Sequence, residues 1–198
     1  MARRSEHSRE QIKQLVLGAA EEIVQEQGFA ALKVRKIAAD IGYTVGSIYM
    51  VFSCMSDLHM QIKARTWQKL AICLSELEAP VSAAEHIENM ALAYLEFAGQ
   101  NIGLWRMLFE HQLPVGESVP DEYLQACESV TALFYNQFRQ LPVVPNAQIE
   151  PAVQVFTKAL QGVCMQLIMH DLTPESFDKA RQELLLLVHC YLRGYLQR

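Results

Sequence analysis

The residues best suited to meet a nucleic acid lie close together. Thr44, Val45, Ser47 and Met50 fall on one side of a short helical segment, where hydroxyl and apolar groups are free to reach base edges in a major groove. Lys33, Arg35 and Lys36 lie just before them and supply cations for backbone phosphates. This chemistry recognises a duplex without transforming it.

Such residues need a rigid mount, and the surrounding spacing provides one. With Val34 at the first position of a helix-turn-helix, Ala38 falls fifth, Gly42 ninth and Ile48 fifteenth. The fifth place must be small because the second helix crosses there. The ninth must tolerate positive φ because the chain turns sharply. Ile37, Ile41, Ile48 and Phe52 supply a shared core, and Thr44 is a good N-cap for the second helix. The spacing predicts helices over 34–41 and 45–52. Before them, Ile12, Leu15, Val16, Ala19, Ala20, Ile23 and Val24 form a helical stripe over 9–27, with Ser8 as N-cap and Gly28 as closing glycine.

The remaining sequence is helical in pattern throughout. Segments run from a cap at Ser56-Asp57 to Pro80, from residue 83 onward, and over 104–113, 121–140, 148–170 and 175–196. Gly99 and Gly103 are read as loosening the chain, Pro142 to Asn146 as a linker, and Thr173 with Pro174 as a helix start. The expectation is an all-α chain of about nine helices. A three-helix DNA-binding domain spans 1–55, and a larger helical domain spans 56–198.

Composition fits this division. The chain carries a net charge of -5, but residues 1–65 hold nine Lys/Arg against seven Asp/Glu, Arg3 and Arg4 among them. The acidic excess therefore lies in the C-terminal body. The polar start shows no secretory leader, and no apolar run is long enough to span a bilayer, so a cytoplasmic protein without membrane contact is expected. Five scattered cysteines with no C-x-x-C pair argue against disulfides and zinc, and they read as small buried hydrophobes. Neither metal nor cofactor is expected.

Residues 12–58 resemble the DNA-binding domain of tetracycline-repressor (TetR) family regulators. The resemblance rests on Ala19-Ala20, Gly28-Phe29, Val34-Arg35-Lys36-Ile37-Ala38, the run Gly42-Tyr43-Thr44-Val45-Gly46-Ser47-Ile48-Tyr49, then Phe52 and Asp57-Leu58. It implies that residues 44–50, Gly46 included, form the recognition helix. It further implies that Tyr49 contacts a phosphate and that Arg35 contacts backbone or base. Met55 stands where the family usually has a phosphate-binding lysine, Val51 where histidine is frequent, and Lys33 where a Thr or Ser cap is usual. Losing that lysine bears on affinity and salt dependence more than on sequence choice.

The resemblance also implies a small-molecule pocket in the body. Its candidate lining is Trp67, Met90, Tyr94, Trp105, Phe109, Tyr123, Cys127, Phe134, Phe156 and Met165, a set suited to an apolar or aromatic effector. Ordinary core packing is the competing reading for each of these residues. The last two helices carry apolar stripes that suggest a homodimer surface. Phe156, Leu160, Val163 and Leu167 lie on one, and Leu184, Leu187, Val188 and Tyr191 on the other. The functional expectation is a ligand-responsive repressor bound to a palindromic operator. The alternative is a ligand- or protein-binding module of the same fold with weakened DNA binding. No G-x-S-x-G, Gly-rich phosphate loop or H-E-x-x-H is present, and His86, His111, His170 and His189 read as isolated, so an enzyme is not expected.

Overall fold

The first helix starts where a capping box can form. In the computed structural model, which describes residues 7–78, 82–142, 148–169 and 173–196, the Gln11 N–H donates to Ser8 Oγ. The Gln11 side chain accepts from the Ser8 N–H in return. Helix α1 (Arg9–Gln27) ends at Gly28, whose φ of 79° suits a residue without Cβ. Ile12, Val16, Ala20, Ile23 and Val24 are buried, while Leu15 is largely exposed and lies outside the stripe expected of it. A 3-10 turn, Phe29–Ala31, leads to α2 (Val34–Asp40). Gly42, at φ 71°, turns the chain into α3 (Val45–Tyr49).

Helix α4 (Met55–Ser75) begins one residue before the expected cap at Ser56-Asp57. Cys54 stands at the cap, and its Sγ accepts from the Asp57 N–H at 3.5 Å. The Asp57 carboxylate reaches back to the Ser53 N–H at 2.8 Å and the Ser53 hydroxyl at 3.1 Å. A carboxylate in the first turn also complements the helix dipole. Next come α5 (Ala83–Gln100), α6 (Ile102–Glu110), α7 (Asp121–Phe138), α8 (Ile149–Met169) and α9 (Pro174–Leu196), with no strand among the described residues. Thr173 caps α9 by accepting the Ser176 N–H. Arg3, Arg4, His170 and most of the expected linker after Pro142 lie outside the described residues.

Contact density groups the chain into two compact units. The first unit comprises residues up to Thr66 together with Gly103–Tyr123. Its core joins Val16, Ile23, Ile37, Ile48, Phe52, Leu58 and Ile62 to Leu104 and Met107. Gly103 does not loosen the chain. It lies inside α6 where that helix presses on α1, and a Cβ there would sit 2.4 Å from the Val24 carbonyl oxygen. The second unit holds Trp67–Ile102 and Leu124–Arg198. In it α9 packs on α5 and α8, and Gly99 lies beneath the Phe177 ring. Phe134, Phe138, Phe156 and Tyr191 form its aromatic centre.

The cysteines depart from expectation. Cys164 alone is fully buried, and burial pushes its thiol up; Cys54 and Cys190 are exposed. Cys54 is exposed because it caps a helix, and Cys190 because it lies on the outer side of α9.

Candidate nucleic-acid interface

Helices α2 and α3 meet over small and branched side chains. Ala38 is buried where the helices cross, and Ile37, Ile48 and Phe52 are almost wholly covered. The Tyr43 N–H donates to the Ala38 carbonyl at 2.9 Å and pins the turn. Thr44 Oγ1 accepts the Ser47 N–H at 3.1 Å and shares a hydrogen bond with Ser47 Oγ at 2.9 Å, so the start of α3 is fixed. Ile48 anchors the helix inward and the opposite face is presented outward. On that face Thr44 and Gly46 are exposed, Tyr49 is 44% and Met50 57% exposed, and Val45 and Ser47 are half-buried. All residues expected to touch DNA on α3 keep some exposed surface, although Val45 also packs against the core beneath.

The cations divide into two sets. Lys33 and Arg35 are exposed beside that patch, with no hydrogen bond or ion pair among the described residues. Lys33 provides no side-chain cap for α2. Lys36 donates to the Gln27 side chain. The fold itself engages the two basic residues nearest the end of the unit. Arg65 pairs with Glu21 at 3.0 Å and bonds Gln14, tying α4 to α1. Lys63 is buried, donates to the His111 carbonyl and lies 5.4 Å from the centre of the Tyr123 ring.

His111, expected to stand isolated, packs against His59 with ring centres 4.7 Å apart, and Phe29 meets both edge-on. His59 gave no signal in the sequence because its partner lies far along the chain. Burial, then the neighbouring His111 and Lys63, lower the His59 pKa to about 4. His111 is lowered chiefly by burial as well, with Lys63 adding to the effect and Glu117 opposing it. Both rings are therefore neutral in the fold, whereas an unfolded histidine takes a proton near pH 6.5. Stability is at its full value above that pH and declines as pH falls toward 4. Chemical denaturation at pH 7.5 and pH 5 measures the decline, and His59→Phe should reduce it. An unchanged decline in that variant would show that the pair is not the acid-sensitive element. His189, also read as isolated, bonds Glu88 at 2.8 Å.

A helix-turn-helix mounted behind a long first helix, with its outer face open, is the arrangement of a DNA-reading domain. Residues 16–59 match the family described as bacterial regulatory proteins, tetR family. Over that stretch the chain is similar to the tetR family. Among curated protein sequences nothing matches it. Solved TetR-like structures share its fold at low identity. A Rhodococcus sp. RHA1 protein of unknown function superposes with a TM-score of 0.77 at 16% identity, covering 98% of this chain and all of the other. EbrR, a multidrug binding protein solved with ethidium, gives 0.67 at 22% identity over 89% of this chain and 98% of its own. BioQ, solved with its double-stranded DNA operator, gives 0.64 at 16% identity over 94% and 98%. No described helix is long and apolar enough to cross a membrane.

The expected pocket residues are spread over both units. Trp105, Phe109 and Tyr123 belong to the first unit. There Trp105 is fully buried and meets Phe109 edge-on. Trp67, Met90, Tyr94, Cys127, Phe134, Phe156 and Met165 belong to the second. Phe134 and Phe156 pack on each other at 5.6 Å, while Met165 is exposed. On the last two helices, Phe156, Leu160, Leu184 and Val188 are wholly covered within the chain, and Leu167 nearly so. Val163, Leu187 and Tyr191 are half-buried. Large apolar residues turned outward on these helices include Val155 at 57% and Leu186 at 64% exposure, neither of them among the stripe residues expected at the interface. Beside them an open groove of about 530 Å³ is lined by Pro151, Ala152, Val155, Cys190 and Gly194.

Proposed function

We propose that this protein is a TetR-family repressor that binds a palindromic operator as a homodimer and leaves it when a small apolar or aromatic effector binds. The observation carrying this reading is the patch on α3, held rigidly from behind and preceded by Lys33 and Arg35, exposed and without hydrogen bond or ion pair among the described residues. A rigid, exposed α3 is what major-groove entry requires. Lys33, Arg35 and Tyr49 hold phosphates, while Thr44, Val45, Gly46, Ser47 and Met50 face the bases. BioQ with its operator and EbrR with ethidium illustrate the two kinds of partner within this fold.

Two copies join through the outer faces of α8 and α9. Val155 and Leu186 are large apolar groups exposed on a single chain, and a two-fold contact would cover them. The pair of recognition helices is then spaced for two half-sites, so operator symmetry mirrors protein symmetry. The effector occupies the aromatic and methionine-lined body and favours a form with altered recognition-helix spacing. By linkage, operator DNA weakens the effector equally.

Tyr49→Ala and Ser47→Ala test the assignment of α3. Loss of a phosphate contact by Tyr49→Ala should weaken binding to many duplexes alike, by about tenfold. Ser47→Ala should change which base pair is preferred. Both are read by titrating a panel of single-base operator variants. Parallel profiles for the two substitutions would remove α3 from the groove.

A further inference from the structure

Residues 41–56 contain no Asp, Glu, Lys, Arg, His, Asn or Gln. The stretch covers the whole turn, all of α3 and the start of α4, so the part of the protein placed against base edges carries neither charge nor amide. We propose that α3 reads thymine methyl groups, with Met50 as the chief specificity-determining side chain. The half-site beneath α3 would then be chosen by where thymines stand. This rests on the DNA-binding reading above.

Groove chemistry supports it by elimination. Guanine is read best by a bidentate Arg or Lys and adenine by a bidentate Asn or Gln, and α3 has none of these. Hydroxyls can serve either base, but here they are partly engaged. Thr44 Oγ1 already accepts the Ser47 N–H, and the two hydroxyls bond each other at 2.9 Å, which leaves one O–H hydrogen between them. With the Tyr49 hydroxyl assigned to a phosphate, what remains outward is apolar. Met50 is 57% exposed at the end of α3 with a flexible thioether arm, whereas Val45, at its start, packs against the unit's core and keeps only part of its surface open. The C5-methyl of thymine is the apolar feature of the major groove, and apolar side chains are what recognise it.

Gly46 lets the helix come close enough. It is exposed, and a Cβ there would meet only Thr44 Oγ1, at 3.7 Å. Nothing inside the protein demands glycine, which destabilises a helix relative to alanine. A flat spot between Val45 and Ser47 allows close backbone approach to a base pair. Arg35 and Lys36, on α2, are the cations before the turn able to take a guanine, so any guanine preference would fall outside the base pairs under α3.

The test uses the full chain and a random duplex library. Selected sites should show thymines at fixed places in each half-site. Replacing those thymines one at a time by deoxyuridine removes only the methyl. Each contacted methyl should cost about fourfold in affinity, the effect of one buried methyl-sized group. Met50→Ala, exposed and harmless to folding, should abolish the uracil effect at one position and leave the others. Sites that bind tightly yet tolerate uracil at every thymine, while losing affinity when a guanine under α3 becomes 7-deazaguanine, would overturn the inference and leave a DNA-binding regulator. Failure to enrich any site would overturn the DNA-binding reading and this inference with it.

Discussion

Leu186→Glu should convert the protein to a monomer and remove operator binding. Leu186 is 64% exposed on α9, so the substitution leaves the chain's own core untouched. In a two-fold interface it is introduced twice. Leaving a carboxylate buried without a partner costs at least about 3 kcal/mol per copy. Together that is about 6 kcal/mol, or roughly 10⁴-fold in the dimer dissociation constant. Light scattering after size exclusion should read a monomer at micromolar concentration, with circular dichroism unchanged. Operator affinity should fall by about 100-fold or more, because one half-site alone no longer holds the protein. Leu160→Ala is the contrast. Leu160 is wholly covered within the chain, so its truncation should lower stability by about 2–5 kcal/mol through a cavity. A dimer that survived Leu186→Glu would place the interface elsewhere.

Gly103→Ala and Gly18→Ala should move stability in opposite directions. Alanine is a better helix former than glycine by about 1 kcal/mol, and both glycines are helical. At Gly18 a Cβ meets nothing within 4 Å, so the gain stands. At Gly103 the same Cβ would lie 2.4 Å from the Val24 carbonyl oxygen and 2.7 Å from Gln25 Cα. Both obstacles are backbone, so no rotamer relieves them and α6 must shift off α1. Overpacking of this kind costs about 1–3 kcal/mol, and backbone contacts put this site at the upper end. A net loss of about 2 kcal/mol follows, which is about 4–8 °C in melting temperature for a chain of this size. Equal shifts in the two variants would mean that α6 does not press on α1 as described.

The contrast between these glycines shows what a sequence reveals and what it does not. Gly42 was legible because its demand is local: four residues after Ala38, it must turn the chain with positive φ. Gly103 was not, because its constraint comes from a carbonyl on a helix far away in sequence. The same holds for His59 and His111, whose pairing joins α4 to the end of α6. Periodicity found α1 almost to the residue, since Ser8 and Gly28 mark its ends chemically. It also identified α8 and α9 as strongly apolar, but it did not separate the side that packs within the chain from the side left outside. Phe156, Leu160, Leu184 and Val188 were read as a surface for a partner, and they fill the chain's own interior. Val155 and Leu186 remain outside because α8 and α9 already cover each other's other faces. Cys54 shows a third kind of failure. A thiol is a poor helix cap by type, so the start of α4 was placed at the better caps that follow it.

The most direct test of the account is a fluorescence-anisotropy titration of the purified protein against its own upstream intergenic duplex. It is run at two salt concentrations, with an unrelated duplex of equal length as control. The account predicts saturable binding at two subunits per site or a multiple of two, much tighter than the control and weakened steeply by salt as phosphate counterions are released. Binding no tighter than the control, with protein freed of any copurified small molecule, would contradict it.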